Sequence, residues 1–290
     1  MSKSAARQIF CFGDETVNKE TTEAKMFSAL EAAGCARPLV PSVTNCVTAG
    51  FVADCQLAAG ASAVMINMPD EARELAERCD AFYINLGTIF PIYEATIPAA
   101  AERLSQLGRP WALDPVAAGL GELRTKLLMQ IREYRPSVIR GNASEIIALA
   151  RLWKLYGGVS SACVVDSSAA PADAEEAATV LAKFTGGAVV VSGADDYVTD
   201  GRTAAVSYGG SLLMKRNSGF GCALGAVAAG HLPFAEPFVA ALGAVNAFNA
   251  AGREAEKTAS AQGSFRTAFI DRLQMLAPQE IVHNTFEIKE

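Results

Sequence analysis

From Pro38 onward, short apolar segments alternate with longer segments whose apolar residues recur every three or four positions. The first pattern predicts buried strands and the second amphipathic helices, and their alternation is typical of a parallel sheet covered by helices on both faces. We predict strands at Leu39–Val43, Ala63–Met65, Ala81–Asn85, Trp111–Asp114, Val138–Arg140 and Ala188–Ser192. We predict helices at Thr48–Ala59, Pro69–Arg78, Ile92–Gln106, Leu123–Tyr134, Ala143–Trp153 and Asp173–Phe184.

The two ends of the chain depart from this alternation. Asp200-Gly201 separates two short apolar runs, Tyr197–Thr199 and Thr203–Ser207, and this dipeptide favours the positive φ angles of a hairpin turn. We predict later helices at Gly221–Gly230, Phe234–Ala251 and Ser264–Met275, a polar loop at Gly157–Ala172, and an early helix at Thr21–Gly34 after a loose arm. The sequence therefore predicts an N-terminal arm and helix over 1–37, followed by a single α/β domain over 38–290.

Composition narrows the class of protein. The chain has 290 residues, of which 51% are hydrophobic, enough for a large core, and its net charge of −6 disfavours nucleic acid or an anionic membrane as a partner. No apolar run reaches transmembrane length, and the first residues lack the apolar core of a signal peptide. Seven scattered cysteines without a CxxC pair fit reduced thiols and a cytoplasmic protein. Only two histidines are present, which argues against a histidine-based zinc site.

The glycine-rich segment Ser218–Cys222 precedes a run of small apolar residues that predicts a helix. Free backbone N–H groups and the helix dipole make such a helix start a site for anions. It is not a Walker A loop, because the chain has no Gly-Lys pair, and it is not a dinucleotide fingerprint, because Leu224 stands where the third glycine belongs. The segment is either a phosphate site or a helix start selected for close packing.

A second segment, Arg140–Glu145, follows a predicted strand and opens a predicted helix. Asn142 and Glu145 have the spacing of a capping box. Alternatively, Asn142 and Glu145 hold a hydrated Mg²⁺, with Arg140 beside a nucleotide phosphate, because Mg²⁺ needs few protein ligands. Asp114 ends another strand, where ligands bind in open α/β sheets, although an aspartate there also commonly solvates a turn.

Three further strands end in polar residues: Thr44-Asn45, Asn85–Thr88 and Ser192. Each motif is ordinary alone. Since the carboxyl ends of parallel strands meet at one edge of a sheet, we expect these residues to face a common crevice.

Together these segments resemble the hydroxyethylthiazole kinase family, over roughly residues 38–275. The matching segments, in chain order, are Pro38-Leu39-Val40 with Thr44-Asn45, Gly60-Ala61-Ser62 with Val64-Met65, Asn85–Thr88, Leu113–Val116, Ile139–Ile146, Asp196–Thr199 and Gly221-Cys222. The resemblance implies a ribokinase-like, three-layer α/β/α fold with a mostly parallel sheet. It also implies ATP-dependent phosphorylation of the alcohol of 4-methyl-5-(2-hydroxyethyl)thiazole for thiamine biosynthesis or salvage, by a homotrimer with its sites at subunit interfaces.

The resemblance also implies a role for each matching residue. The thiazole site would include Asn45, Met65, Gly87 and Gly219, and the ATP site Arg140, Ser192 and Ser218. Mg²⁺ would be held by Asp114, Asn142 and Glu145, and the catalytic group would comprise Gly219, Gly221 and Cys222. A helix N-terminus lowers the pKa of a thiol, so Cys222 is expected to accept the substrate proton, unless it is only a small packing residue.

Several positions depart from the family pattern: Pro41 follows Pro-Leu-Val, Ala63 follows Ala-Ser, Phe220 lies between the two loop glycines, Ser192 replaces a threonine, and the late Gly-Pro-Gly-Ser-Phe motif is altered at 261–265. A ring at position 220 either narrows the site and alters the substrate or packs into the core. The alternatives are a ribokinase-like kinase of another small alcohol and a catalytically weak homologue that binds thiazole or nucleotide. A third, ATP-dependent repair of hydrated nicotinamide nucleotides, would call for an aspartate at position 222.

Overall fold

A computed structural model describes residues 18–157, 171–259 and 261–289. Within them lies one nine-stranded sheet in the order β2-β1-β3-β4-β5-β6-β7-β8-β9. The strands are β1 (Leu39–Val43), β2 (Ser62–Met65), β3 (Phe82–Asn85), β4 (Trp111–Asp114), β5 (Val138–Asn142), β6 (Ala188–Ser192), β7 (Asp196–Thr199), β8 (Ala204–Ser207) and β9 (Phe286–Lys289). Strands β1 to β6 pair in parallel, and β7, β8 and β9 extend the sheet in antiparallel pairing.

The helices cover the sheet on both faces. They are α1 (Lys19–Ala36), α2 (Ala49–Ala58), α3 (Pro69–Arg78), α4 (Tyr93–Leu107), α5 (Glu122–Ile131), α6 (Ala143–Leu152), α7 (Pro171–Thr185), α8 (Leu212–Arg216), α9 (Phe220–His231), α10 (Pro237–Glu256), α11 (Gln262–Met275) and α12 (Pro278–Val282). One core lies between the sheet and α1, α2 and α9 to α12, and a second lies between the sheet and α3 to α7.

Local sequence explains why the strands and helices begin and end where they do. In β4, Trp111 and Leu113 enter one core and Ala112 the other, because successive side chains point to opposite faces of a sheet. Both faces are covered, so the strand reads as an unbroken apolar run. Gly108 ends α4 in the left-handed conformation, with φ of 62°. Pro69 occupies the first turn of α3, where its missing N–H costs no hydrogen bond.

The predicted three-layer α/β/α architecture with a mostly parallel sheet is confirmed, with each predicted strand present within a residue or two of its expected bounds. The hairpin β7–β8 turns at Gly201, whose φ is +87°. The short elements α8, α12 and β9 were not predicted from the sequence, because segments of four or five residues carry little periodicity.

The N-terminal region was predicted to be an arm and a helix over 1–37. The arm up to residue 17 lies outside the described residues, whereas the helix is present as α1 and buries Met26 and Leu30 in the same core as α10. The boundary at 37/38 stays a prediction. Most of the predicted loop Gly157–Ala172 lies outside the described residues, and α7 begins at Pro171. Among the helices described here, none is long and apolar enough to cross a membrane.

Candidate active site

The polar residues that end β1, β3, β4 and β6 meet at the carboxyl edge of the sheet, beside the first turn of α9. The chain leaves β1 toward β2 on one side and returns to β3 on the other, so the strand order reverses here. Ligands of open α/β sheets bind at such a switch point. The strand-end residues therefore lie together at one edge of the sheet, as their positions predict, and they form one hydrogen-bonded chain.

The hydrogen-bonded chain begins at Asn45, just after β1. Its side-chain oxygen accepts hydrogen bonds from the backbone N–H and the hydroxyl of Thr48, at 3.1 and 3.0 Å. Its side-chain nitrogen donates to Asn85 Oδ1 at 3.2 Å and to Cys222 Sγ at 3.5 Å. Asn85 Oδ1 also accepts from the backbone N–H of Gly87 at 2.9 Å. Asn45 thus connects the ends of β1 and β3 with the start of α9.

The chain continues through Tyr83, whose side chain is fully buried in β3. Asn85 Nδ2 donates to the Tyr83 hydroxyl at 2.9 Å, and the hydroxyl donates to Asp114 Oδ2 at 3.1 Å. Asp114 is also fully buried, and its other oxygen, Oδ1, has no hydrogen-bond partner among the residues that the structure describes. A buried carboxylate oxygen without a donor is costly and is the kind of atom that a cation satisfies.

Arg140 connects the hydrogen-bonded chain to the end of β6. One guanidinium nitrogen donates to Asp114 Oδ2 at 3.4 Å and the other donates to Ser192 Oγ. The same guanidinium lies against Gly221 so closely that a Cβ at position 221 would collide with it. A cation therefore lies against the positive end of the α9 dipole, which is an unfavourable pairing that an anion between the two would relieve.

The glycine loop has the geometry of a helix start with free amides. Gly219 is the N-cap of α9, has φ of +98°, and has no side chain to cap the helix. A Cβ there would lie 2.9 Å from Thr48 Cβ, so both conformation and space require glycine. The first intrahelical bond joins Ala223 N to Gly219 O, leaving the N–H groups of Phe220, Gly221 and Cys222 for a ligand.

Burial sets the protonation of the site. Desolvation raises the pKa of Asp114 to about 6, with the Arg140 charge acting in the opposite direction. Although burial opposes it, the charges of Asp114 and Glu145 raise the pKa of Arg140. The pKa of Cys222 is also raised, first by burial and then by the Asp114 charge. The expectation that the pKa of this thiol is lowered is therefore wrong, because burial and the Asp114 carboxylate raise it more than the Arg140 charge and the hydrogen bonds with Asn85 and Thr48 lower it.

Asn142 and Glu145 form the capping box that their spacing predicts. Asn142 Oδ1 accepts from the backbone N–H of Glu145 at 3.0 Å, and Glu145 Oε2 accepts from that of Asn142 at 2.9 Å. Glu145 Oε1 accepts from the N–H of Ala117 at 3.0 Å, holding the loop after β4, where Ala117 has φ of 55°. Each carboxylate oxygen keeps a second lone pair, so the cap does not exclude a ligand role.

The remaining predicted residues lie at the rim of the site or away from it. Met65 ends the edge strand β2, half-buried against the α2 and α9 core, and Ser218 is exposed just before α9. No contact between either of them and the hydrogen-bonded chain is recorded in the described part of the protein. A separate cavity of 510 Å³, bordered by Lys183, Gly187, Arg202 and Pro237, contains none of the predicted site residues.

The Phe220 ring packs into the apolar core and away from the hydrogen-bonded chain. It is 5% exposed and packs against Phe51, Phe265 and Phe269 at centroid distances of 4.7, 5.7 and 4.7 Å. Pro41 is buried within β1. The pairing of β1 with β3 begins one residue later, at Ser42, as expected because proline has no N–H to donate to a neighbouring strand. Neither of these two departures from the family pattern borders the polar chain.

Sequence reasoning did not identify Tyr83 or Thr48 as site residues, and gave Asn85 no role. The signal for Tyr83 was present: a tyrosine inside a fully buried strand needs a partner for its hydroxyl. That partner is Asp114, 31 positions away, and only the pairing of β3 with β4 brings the two together.

The fold and the site define a class: a three-layer α/β/α protein in which a glycine-rich helix start lies at the carboxyl edge of a mostly parallel sheet, beside a buried arginine and aspartate. The family model described as "Hydroxyethylthiazole kinase family" matches residues 30–279. A hydroxyethylthiazole kinase of Bifidobacterium animalis subsp. lactis is 42% identical over 260 residues, covering 84% of each chain. The chain therefore belongs to the hydroxyethylthiazole kinase family, which confirms the resemblance and the enzyme class predicted from the sequence.

Two solved structures support the family assignment and the fold. The hydroxyethylthiazole kinase protein of Pyrococcus horikoshii superposes with a TM-score of 0.82 at 30% identity, covering 91% of this chain and 99% of that one. A ribokinase-like superfamily protein of Enterococcus faecalis superposes with a TM-score of 0.56 at 14% identity, covering 89% of this chain and 94% of that one. The second likeness concerns the fold alone, and it supports the predicted ribokinase-like architecture.

Proposed function

We propose that this protein transfers the γ-phosphoryl group of ATP to the hydroxyethyl group of 4-methyl-5-(2-hydroxyethyl)thiazole, for thiamine biosynthesis or salvage. The observation that carries the proposal is the guanidinium of Arg140 against Gly221 at the start of α9, beside the buried Asp114. Two positive elements at one point favour an anion of high charge. Family membership identifies the alcohol that accepts the phosphoryl group as hydroxyethylthiazole.

In this mechanism the alcohol oxygen attacks the γ-phosphorus, a new O–P bond forms, and the bond to the β-γ bridging oxygen breaks to release ADP. The free amides of Gly221 and Cys222 donate to the γ-phosphoryl oxygens, where negative charge is spread in the transition state. Arg140 holds the β- and γ-phosphates, and Ser192 and Ser218 lie on the nucleotide side. These groups are fixed before substrate binds, so little reorganisation is needed.

The alcohol lies on the other side of the glycine loop, in a site formed by Asn45, Gly87 and Gly219, with Met65 at the rim. Gly87 leaves room there, since a Cβ would lie 3.0 Å from Asn85 Oδ1. Cys222 contacts the substrate hydroxyl. Because its raised pKa keeps the thiol protonated near neutral pH, Cys222 orients the alcohol more than it removes the proton. The proton leaves the alcohol oxygen late, once the O–P bond is forming, and passes to an oxygen of the transferred phosphoryl group.

The residues present fit a magnesium ion. The described residues contain no cluster of three acidic, cysteine or histidine side chains, but Mg²⁺ bound to a nucleotide needs only one or two carboxylates. The unpartnered Asp114 Oδ1 is the acceptor that such an ion requires, with Glu145 and Asn142 as the neighbouring oxygens. When bound, the ion supplies charge neutralisation at the phosphates.

We also propose a homotrimer and a cytoplasmic location. Four exposed apolar side chains follow the carboxyl ends of β1, β2 and β3: Val47, Met68, Phe90 and Ile92. A group of apolar side chains on a rim usually marks an interface, so a neighbouring subunit would complete the alcohol site. The five described free cysteines, Cys35, Cys46, Cys55, Cys79 and Cys222, are consistent with a reducing compartment. The molar mass from light scattering tests the trimer: a monomer would contradict it.

The decisive experiment for the function is incubation with Mg-ATP and hydroxyethylthiazole, followed by mass spectrometry for the phosphate ester. The matched control is the Arg140→Gln variant. Formation of ester by the native protein and not by the variant supports the proposal. Consumption of ATP with another small alcohol, but not with the thiazole, would favour the alternative kinase, whereas ligand-induced thermal stabilisation without ADP would favour a binding homologue.

A further inference from the structure

The hydrogen-bonded chain across the site has a defined direction, and backbone amides at two points fix it. The N–H of Gly87 can only donate, so the Asn85 atom that it contacts is the oxygen, and the other amide atom of Asn85 is a donor. The N–H of Thr48 fixes the orientation of Asn45 in the same way. Neither amide group can flip without losing a backbone hydrogen bond.

This direction determines where the Tyr83 proton goes. Because Asn85 Nδ2 donates to the Tyr83 oxygen at 2.9 Å, the hydroxyl hydrogen is left for Asp114 Oδ2 at 3.1 Å. Oδ2 also receives the 3.4 Å contact from Arg140. Both donors near Asp114 therefore lie on one oxygen, and Oδ1 is left as the free acceptor.

The ring of Tyr83 is held in place by close packing. A Cβ at Gly225, one turn into α9, would lie 2.8 Å from Tyr83 Cε2 and 3.3 Å from its hydroxyl oxygen. The absence of a side chain at position 225 thus gives the ring its space. Tyr83 is fully buried, so the hydroxyl has no water as an alternative partner.

We propose that Tyr83 is a positioning residue: it holds Asp114 by Oδ2, so that Oδ1 stays available to the Mg²⁺ of the nucleotide. The inference rests on the proposed function. Tyr83 does not touch the reacting atoms. It acts through Asp114, and through Asn85 and Asn45 it ties that carboxylate to the residues around Cys222.

The test is the Tyr83→Phe variant, which keeps the ring and removes the hydroxyl. A hydrogen bond to a charged group changes an equilibrium by roughly tenfold or more, so we expect kcat to fall about tenfold and half-saturating Mg²⁺ to rise about tenfold. The KM for the thiazole should stay within about twofold, because the alcohol side is unchanged. A variant with native kcat and native Mg²⁺ response would overturn the inference.

A second readout needs no turnover. With a non-hydrolysable ATP analogue, Mg²⁺ should raise the thermal midpoint of the native protein, and the rise should be smaller for Tyr83→Phe. The matched control is Tyr93→Phe, which removes another buried hydroxyl, 2.9 Å from Thr44 O and from Asn67 Oδ1. A purely structural role for Tyr83 predicts lower stability in both variants with the native Mg²⁺-dependent rise in both, and this result would also overturn the inference.

If Tyr83→Phe does not fold, Gly225→Ala tests the same point by displacing the ring while keeping the hydroxyl. It should weaken the Mg²⁺ response in the same direction, and a native response would count against Tyr83. Failure of the proposed function is recognised separately. A native protein that makes no thiazole phosphate refutes that function, and the measurement with the ATP analogue still decides the role of Tyr83.

Discussion

The first turn of α9 separates two regions of opposite character. On one side, Phe220 packs into rings from α2 and α11, and Phe248 on α10 extends the same group through Phe269 at 5.0 Å. On the other side, Cys222 and Gly221 meet a chain of directional hydrogen bonds and one ion pair. Apolar packing is non-directional and shared among many contacts, whereas each polar contact has one donor and one acceptor. We therefore expect the apolar side to govern stability and the polar side to govern turnover.

The largest effect should come from Phe220→Ala. Removing a buried ring leaves a cavity among three aromatic side chains, so the free energy of unfolding should fall by about 3–5 kcal/mol. Urea denaturation measures this loss, and kcat of the folded variant at low temperature should stay close to native. Phe220→Leu, the control, should lose less than about 1.5 kcal/mol. If Phe220→Ala lost kcat but not stability, the ring would contact the substrate. The division between an apolar side that governs stability and a polar side that governs turnover would then be wrong.

Next in size is Arg140→Gln on the polar side. Loss of the guanidinium that we propose holds the phosphates should lower kcat about 100- to 1000-fold, as removal of one pre-organised donor does elsewhere. Steady-state kinetics measures this change. Arg103→Gln, which removes an exposed ion pair with Glu77 and an exposed hydrogen bond to Gln106, is the control and should leave kcat unchanged. A loss below tenfold in Arg140→Gln would show that the amides of α9 stabilise the phosphates without it.

The third prediction concerns the pH dependence of stability and the buried His231, which ends α9 in the apolar core. Burial lowers the pKa of His231 from 6.5 to about 4, while its Nδ1 lies 3.3 Å from Ala240 O. The unfolded chain therefore binds a proton at a higher pH than the folded protein does. Stability should be complete above about pH 6.5 and decline toward pH 4, by about 3 kcal/mol in total.

Unfolding free energies of the native protein and His231→Gln across this range test that decline. The variant should lose most of the pH dependence between pH 6.5 and 4. His283→Gln, which removes the exposed histidine, is the matched control. Equal slopes for native protein and His231→Gln would show that other groups cause the acid sensitivity.

The smallest effect expected is that of Cys222→Ala. A thiol with a raised pKa stays protonated near neutral pH and cannot accept the substrate proton, so kcat should fall only about tenfold, less than the loss typical of a true general base. Cys222→Ser, which restores a hydrogen-bonding group, should recover part of the rate. A fully native rate in Cys222→Ala would remove this residue from the mechanism, and a loss above about 1000-fold would make it the base.

Much of the fold followed from the sequence because its signals are local. The buried runs that became β1 and β3 to β6, the turn at Gly201 and the capping box of Asn142 and Glu145 depend on residues a few positions apart. The strand-end residues Asn45, Asp114 and Ser192 could be assigned to one edge because parallel strands share a direction. The glycine loop could be predicted to be a helix start with free amides, and hence a candidate anion site, because glycines precede a run of small apolar residues.

The tertiary structure decided what depends on distant partners. Tyr83 meets Asp114 only because β3 pairs with β4, and Arg140 meets Gly221 only because α9, formed late in the chain, lies across the ends of the earlier strands. The direction in which Phe220 points and the sign of the Cys222 pKa shift also depend on what surrounds each side chain. The sequence by itself determined the longer helices and strands, several of their caps and the edge that carries the site, but not the short elements α8, α12 and β9. Which groups touch there, and how they are charged, arises from burial and long-range packing, because desolvation and directional hydrogen bonds exist only once the layers have closed.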